Sequence, residues 1–230
     1  MFATIPPPAR RLLVFARLPE LGKVKTRLSP DLGEEKALAV YEAMLHDSLE
    51  AIGGSTEDLD VEIVWAPTPD ANGETLRRAF GDRSLAMQTG ATLGDRLAMA
   101  FSERFYFQQT ERIIAVGVDD PLLTRATVEE AFALLESCEW VIGPASDGGY
   151  YLIGCRSPSF TPAIFRDVRW GTSSVLPLTL ERIRQWQHTV AMLPERYDID
   201  VMEDLRRFAA EHAAGEGRLP RLLREWGMAA

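Results

Sequence analysis

Arg11-Leu12-Leu13-Val14-Phe15-Ala16 runs directly into Arg17-Leu18-Pro19-Glu20-Leu21-Gly22-Lys23-Val24-Lys25-Thr26-Arg27-Leu28. The first half is a short apolar run that reads as a strand buried on both faces, the kind that fills a parallel sheet covered by helices. The second half is a loop crowded with cations. Arg17, Lys23, Lys25 and Arg27 fall within it, with Glu20 as its only acid. The chain of 230 residues has a formal net charge of −9 and only three lysines, two of them in this loop. A cationic loop after the first strand of an acidic protein suggests a polyphosphate site; an ordinary solvated loop is the plainer reading.

The rest of the chain alternates strand and helix patterns. After a turn at residues 29–33, helical spacing of Leu38, Tyr41, Leu45, Leu49 and Ile52 predicts a helix over 34–52, stopped by Gly53-Gly54. Strands are expected at 61–66, 84–88, 112–117, 140–143, 149–154 and 189–193. Helices are expected at 72–80, 95–109, from a Thr124 or Thr127 cap to about 136, at 173–187, after an acidic turn at 198–204, and at 219–226. This alternation implies an α/β sandwich with a mostly parallel sheet, whose ligands bind beyond the carboxyl ends of the strands. No linker or repeat splits the chain, so one domain is expected, with its core at about 11–208 and C-terminal helices to 230.

Composition narrows the function. The acidic balance argues against nonspecific nucleic-acid binding. No apolar run approaches the ~20 residues of a membrane span, and residues 1–10 do not read as a secretory signal. Cys138 and Cys155 make neither a disulfide framework nor a zinc site, and both read as buried or incidental thiols in a reducing cytoplasm. His46, His188 and His212 lack a nucleophile elbow, so a Ser-His-Asp triad has no support.

Four further stretches carry possible chemistry. In the first loop, Gly22 lets backbone approach phosphate, Lys23 and Lys25 alternate so as to share a side in an extended segment, and Arg27 adds a planar fork. Asp119-Asp120-Pro121 ends an apolar strand, where a carboxylate suits Mg²⁺ or Mn²⁺; the same residues also make a common turn. Ser146-Asp147-Gly148-Gly149-Tyr150-Tyr151 offers a tight backbone, with Asp147 a base, a ligand to a substrate hydroxyl, or a turn former. Asp200, three residues before Glu203, resembles a capping box as much as a second metal ligand. Trp170-Gly171-Thr172 precedes a helix, and its aromatic ring either stacks on a substrate or closes the core.

Taken together, the strings FARLPELGKVKTRL (15–28), GATLGDRLAMAF (90–101), VGVDDPLLT (116–124), GPASDGGYYLIG (143–154), RWGTSSVLPLTL (169–180) and YDIDVMEDL (197–205) resemble one family. They are similar to the radical-SAM-associated, arsenosugar-biosynthesis-type glycosyltransferase-like proteins of the nucleotide-diphospho-sugar transferase superfamily, over roughly 11–208. More distantly they resemble 2-phospho-lactate and molybdenum-cofactor guanylyltransferases. The resemblance implies a three-layer α/β/α sandwich of glycosyltransferase A type. It implies a triphosphate held at Lys23, Lys25 and Arg27, with Arg17, Gly22, Gly90 and Asp95 completing the nucleotide site. It places a metal, Mg²⁺ or Mn²⁺, on Asp119 and Asp200. Asp120 departs from the small residue usual at its position; it is expected either to add a second carboxylate to the metal site or to shift the ligand. Asp147, Gly148, Gly149 and Tyr150, with Trp170 and Gly171, form the expected acceptor site.

The expected activity is transfer of a nucleotide from a nucleoside triphosphate to a small phosphorylated acceptor, with Lys25, Arg27, Asp119 and Asp147 as the catalytic set. The alternatives are a glycosyltransferase using a nucleotide sugar, in which Asp147 is the base, and a non-catalytic nucleotide-binding protein.

Overall fold

The computed structural model describes residues 9–69 and 71–228. The reading of residues 1–10 as lacking a signal falls mostly outside the described residues. The apolar run after Ala9 forms β1 (Arg10–Ala16), with Leu12, Leu13 and Val14 fully buried. Because side chains alternate along a strand, Leu12 and Val14 pack on one face of the sheet and Leu13 on the other. A strand apolar on both faces needs helices on both sides, and each buried Leu or Val contributes about 1.5–3 kcal/mol once covered.

The remaining strands are β2 (Asp60–Trp65), β3 (Ser84–Met87), β4 (Arg112–Val116), β5 (Trp140–Pro144), β6 (Tyr150–Arg156) and β7 (Val190–Met192). They form one sheet in the order β3-β2-β1-β4-β6-β5-β7. Pairing is parallel except at β6, which runs antiparallel to both β4 and β5. The exception is local: Asp147-Gly148 turns the chain back as a hairpin. Gly148 takes φ 88°, and Asp147 Oδ1 accepts from the Gly149 N–H at 2.8 Å. The carboxyl ends of β1, β4 and β5 therefore lie at one edge, with the β5–β6 turn on the same side.

Helices α1 (Ser29–Leu32), α2 (Glu34–Ile52), α3 (Gly73–Phe80), α4 (Leu93–Ser102), α5 (Arg125–Leu134), α6 (Val175–Gln185), α7 (Met202–His212) and α8 (Arg218–Glu225) complete the structure. Tyr41 and Leu45 of α2 and Val128 and Phe132 of α5 cover one face. Leu97 and Phe101 of α4 and Ile183 of α6 cover the other. The second side of α2 (Ala37, Val40, Met44) packs on Leu205 and Phe208 of α7 and on Leu219 and Leu223 of α8. The three-layer α/β/α architecture expected from the sequence is the one observed. Among the described residues no helix is long and apolar enough to cross a membrane.

Several element boundaries differ for identifiable reasons. The turn expected at 29–33 contains the short α1, begun by Pro30 and ended at Gly33, φ 82°. The helix expected from Asp95 begins at Leu93, because Thr92 is its cap: Thr92 Oγ1 accepts from the Asp95 N–H at 3.1 Å, and the Asp95 carboxylate accepts from the Thr92 N–H at 3.0 Å. That helix ends at Ser102 and continues as a π-helical turn, Glu103–Phe107. Two 3₁₀ turns, Ser157–Ser159 and Pro162–Phe165, fill a stretch without helical periodicity.

The π-helical turn carries Arg104, whose side chain is 2% exposed. It donates from Nε and Nη2 to Glu62 Oε2 of β2, at 2.9 and 2.8 Å. Breaking a buried pair strands one charge and costs about 3–5 kcal/mol, whereas replacing both partners by apolar groups is often neutral. Arg104→Met is expected to lower unfolding free energy by about that amount in urea titration, and Arg104→Met with Glu62→Leu to recover most of it. A single variant as stable as the parent would show that the pair holds nothing.

Candidate active site

At the carboxyl edge of the sheet lies a cleft of about 600 Å³, lined from β1, its following loop, the end of β4, α4 and the segment before α7. Each wall has a local cause. The end of β1 is fixed by Tyr41 of α2, whose hydroxyl accepts from the Arg17 N–H at 2.8 Å and donates to the Arg17 carbonyl at 3.0 Å. The cationic loop that follows is a series of turns rather than an extended segment. Val24 is buried in the core, and although Lys23 and Lys25 both line the cleft, they differ in exposure. Lys23 and Arg27 are exposed at the mouth, whereas the Lys25 side chain is 3% exposed.

Lys25 reaches its place through a left-handed backbone conformation, φ 46°. Its Nζ donates to Asp119 Oδ1, to the Ile199 carbonyl at 2.6 Å and to Asp200 Oδ1 at 3.2 Å. Burial alone would lower the pKa of this ammonium, but the charges of Asp119 and Asp200 outweigh it and hold the pKa above the usual lysine value.

The acids come from two places. Asp119 comes three residues after the last residue of β4, and its carbonyl accepts from the Ile199 N–H at 3.0 Å. That bond docks the 197–200 segment beside the end of β4, with Ile199 fully buried. The alternation of this extended segment then leaves Asp198 and Asp200 to line the cleft. Asp198 is a site residue that the sequence reading missed; the signal was the Asp-Ile-Asp alternation itself. Burial, and after it the charges of Asp119, Asp200 and Asp120, raise its pKa to about 8.

Asp200 is not the helix cap that its distance from Glu203 suggested. Asp204 reaches back to the Asp200 and Val201 N–H groups at 3.0 and 2.9 Å, leaving the Asp200 carboxylate to Lys25 and to Arg27 at 3.4 Å.

Other expected residues are placed differently. Asp120, expected to add to the metal ligands, is 3% exposed. Its Oδ1 accepts from the Leu122 N–H at 2.8 Å and its Oδ2 from Arg196 at 3.1 Å. Both oxygens are committed to the protein, because Arg196 also bonds the Leu122 carbonyl (2.6 Å) and Thr127 Oγ1 (2.8 Å), tying this loop down. Gly22, Gly90 and Asp95 shape their loops without lining the cleft; a Cβ on Gly90 would lie 2.6 Å from that of Asp95. Arg17 does line it. On the acceptor side, Tyr150 lines the cleft and its ring meets Trp170 edge-on at 6.1 Å. Asp147, Gly148, Gly149, Trp170 and Gly171 do not line the cleft. Gly148 packs so tightly on Ser173 that a Cβ would lie 2.5 Å from its Cα.

Among the described residues no three His, Cys, Asp or Glu side chains form a ready metal cage. Asp119 and Asp200 nevertheless each point one carboxylate oxygen at a single cation, the Lys25 ammonium. Hard oxygen donors converging on a cation are what Mg²⁺ or Mn²⁺ takes, so the residues present fit such an ion.

Comparison with known proteins places the chain among relatives. Over 144 residues (60% of this chain, 64% of the relative) the chain is 33% identical to 3-phospho-D-glycerate guanylyltransferase of Phenylobacterium zucineum (strain HLK1). Over 137 residues (60% and 56%) it is 27% identical to 2-phospho-L-lactate guanylyltransferase of Methanocaldococcus sp. (strain FS406-22). The chain thus spans less than two thirds of the length of these curated relatives. A crystal structure from Desulfovibrio desulfuricans G20, provisionally named a nucleotide-diphospho-sugar transferase, superposes with a TM-score of 0.90 at 32% identity, covering 96% of this chain and 97% of the other. Residues 53–172 match the family model described as "Uncharacterized protein conserved in bacteria (DUF2064)", and the chain belongs to that family, on a nucleotide-diphospho-sugar transferase fold.

Proposed function

We propose that this protein is a metal-dependent nucleotidyltransferase that moves a nucleoside monophosphate from its triphosphate to a small phosphorylated acceptor and releases pyrophosphate. The observation that carries this reading is the convergence of the cationic loop with Asp119, Asp198 and Asp200 at one sheet edge. Two guanylyltransferases among its relatives support it and favour GTP as the donor.

In the reaction, an acceptor phosphate oxygen bonds to the α-phosphorus, and the bond from that phosphorus to the bridging oxygen breaks toward pyrophosphate. A phosphate nucleophile is already ionised, so no strong general base is needed, in keeping with a cleft that no histidine lines. Asp119 and Asp200, with Asp198, would hold the divalent ion. Bound there, it would draw charge from the α- and β-phosphates. Lys23 and Arg27, exposed in the cleft lining, would neutralise the leaving pyrophosphate, and Lys25 would join them. Arg17 and the apolar side chains of Ala91, Leu93 and Leu97 line the part of the cleft left for the nucleoside. Tyr150 walls the acceptor end.

A glycosyltransferase is the second reading, favoured by the name of the Desulfovibrio structure and by the arsenosugar-type resemblance. It needs a base for a sugar hydroxyl. Asp147 is poorly suited, since it stands off the cleft and accepts from the Gly149 N–H in its turn. A catalytically silent nucleotide-binding protein is the third.

These readings separate in one assay. Purified protein is incubated with each of the four ribonucleoside triphosphates, Mg²⁺ or Mn²⁺, and 3-phosphoglycerate or 2-phospholactate, and pyrophosphate release is followed. Release with GTP is expected, and Asp119→Asn is expected to lower kcat/KM by about 10²–10³. Turnover of nucleotide sugars, with none of any triphosphate, would replace the proposal by the second reading.

Asp198 yields a prediction on stability. A carboxyl whose folded pKa is raised to about 8 binds its proton more tightly folded than unfolded. Its contribution is intact below the unfolded value of about 4 and is lost as pH rises toward the folded value. Asn mimics the protonated form. Asp198→Asn is therefore expected to leave Tm unchanged near pH 4 and to raise it progressively up to about pH 8, each kcal/mol being worth about 2–4 °C. The same variant is expected to weaken Mn²⁺ binding. A Tm advantage that shrinks with rising pH would refute the assignment.

A further inference from the structure

Lys25 is unlike the other cations of its loop. An ammonium has three protons, and all three are taken, by Asp119 Oδ1, Asp200 Oδ1 and the Ile199 carbonyl. As the side chain stands, it has nothing left to offer a phosphate. Its carbonyl is held in turn by the Leu28 N–H at 2.9 Å and Ser29 Oγ at 3.5 Å, so the loop presents the side chain inward. A left-handed backbone at a non-glycine residue costs about 1–2 kcal/mol and is kept because the surroundings favour it. The two carboxylates are 47% and 41% exposed, so they open to the cleft even while paired. Arg27 reaches the other oxygen of Asp200 but is itself 68% exposed.

Asp119 and Asp200 are the carboxylates that would hold a divalent ion in the reading above, and an ammonium seated on both of them opposes a second cation placed there. We infer that Lys25 is a resident counter-ion that blocks the carboxylate pair against a lone divalent ion and yields the pair when a polyphosphate arrives to receive the ammonium. This rests on the nucleotide-and-metal reading above and adds to it an order of events. A metal alone must displace a cation with three acceptors. A polyphosphate alone meets the acids with Lys25 already engaged. Together they exchange partners, with the ammonium passing to phosphate and the metal to the carboxylates. No covalent bond changes. Linkage makes the coupling reciprocal, so each ligand raises affinity for the other by the same factor.

The test uses Mn²⁺ alone, without nucleotide, on the full chain, with bound and free ion separated by electron paramagnetic resonance. Lys25→Met and Lys25→Gln are expected to bind Mn²⁺ about tenfold or more tightly than the parent. Both are also expected to lose thermal stability, because Asp119 loses its ion pair and Asp200 keeps only the exposed Arg27, and to regain it with Mn²⁺ but not with K⁺. The exposed Arg27→Met is expected to change Mn²⁺ affinity little, separating a blocking side chain from a general loss of positive charge. Equal or weaker Mn²⁺ binding in both Lys25 variants would overturn the inference. If that binding still disappears in Asp119→Asn, the metal site itself stands. Absence of Mn²⁺ binding in every form would remove both. An Arg27→Met effect as large as that of Lys25→Met would also overturn it, in favour of simple electrostatics.

Discussion

Three segments, separated in the chain by 94 and 175 residues, meet on one ammonium group. Without Lys25, Asp119 and Asp200 would face each other, with Asp198 beside them, in a protein already carrying a net charge of −9. Burial, and after it the repulsion from these like charges where water is partly excluded, makes Asp198 keep its proton to a pH far above the ordinary range. The ammonium offsets part of that repulsion. A second cation works directly behind it: Arg196 takes the charge of Asp120 and stands 5.2 Å from the Tyr151 ring centre. Asp119 and Asp120, adjacent in sequence, thus serve different masters. Both line the cleft, but Asp120 spends its oxygens on anchoring the loop that holds Asp119 there.

The sheet makes this convergence possible. Parallel pairing of β1 with β4 brings the ends of both strands to the same edge, so the loops leaving them emerge side by side. The 197–200 segment belongs to no strand, yet it is placed as firmly by the Ile199 bond to the Asp119 carbonyl. Its neighbour, the Ala145–Arg196 bridge, fixes the chain just before it. Acids on a loop held in this way keep their spacing with no ligand to organise them.

Much of this was legible in the sequence because it rests on local periodicity. The helix Glu34–Ile52 lies where apolar spacing put it, and each strand is displaced by two residues at most. The cationic loop and Asp119 follow from composition at a strand end. What was hidden depends on partners distant in the chain. Nothing near Lys25 says that its side chain is buried while that of Lys23 is not, because the acids responsible lie far along the chain. Asp120 looked like a metal ligand until Arg196, 76 residues away, claimed it. Asp204, rather than Asp200, caps α7, a choice between two acids near the same helix start that spacing alone does not make. Asp147-Gly148 was legible as a turn, but not as the hairpin that makes β6 antiparallel.

The family match sharpens how the site is assembled. Residues 53–172 contain β2 to β6 and Asp119, but not Lys25, Asp198 or Asp200. A chain limited to that stretch would retain one carboxylate of the cluster and lack both the cation that faces it and the segment that completes it. The site therefore spans a boundary that the family match does not, with its two flanks closing over the matched centre. The Desulfovibrio structure, superposing over 96% of this chain, shows that both flanks belong to the common architecture. The flanks also bind each other, through Lys25 to Asp200 and to the Ile199 carbonyl. A ligand that draws Lys25 away from these acceptors would loosen one flank from the other, so chemistry in the cleft and the joining of the chain's two ends share the same hydrogen bonds.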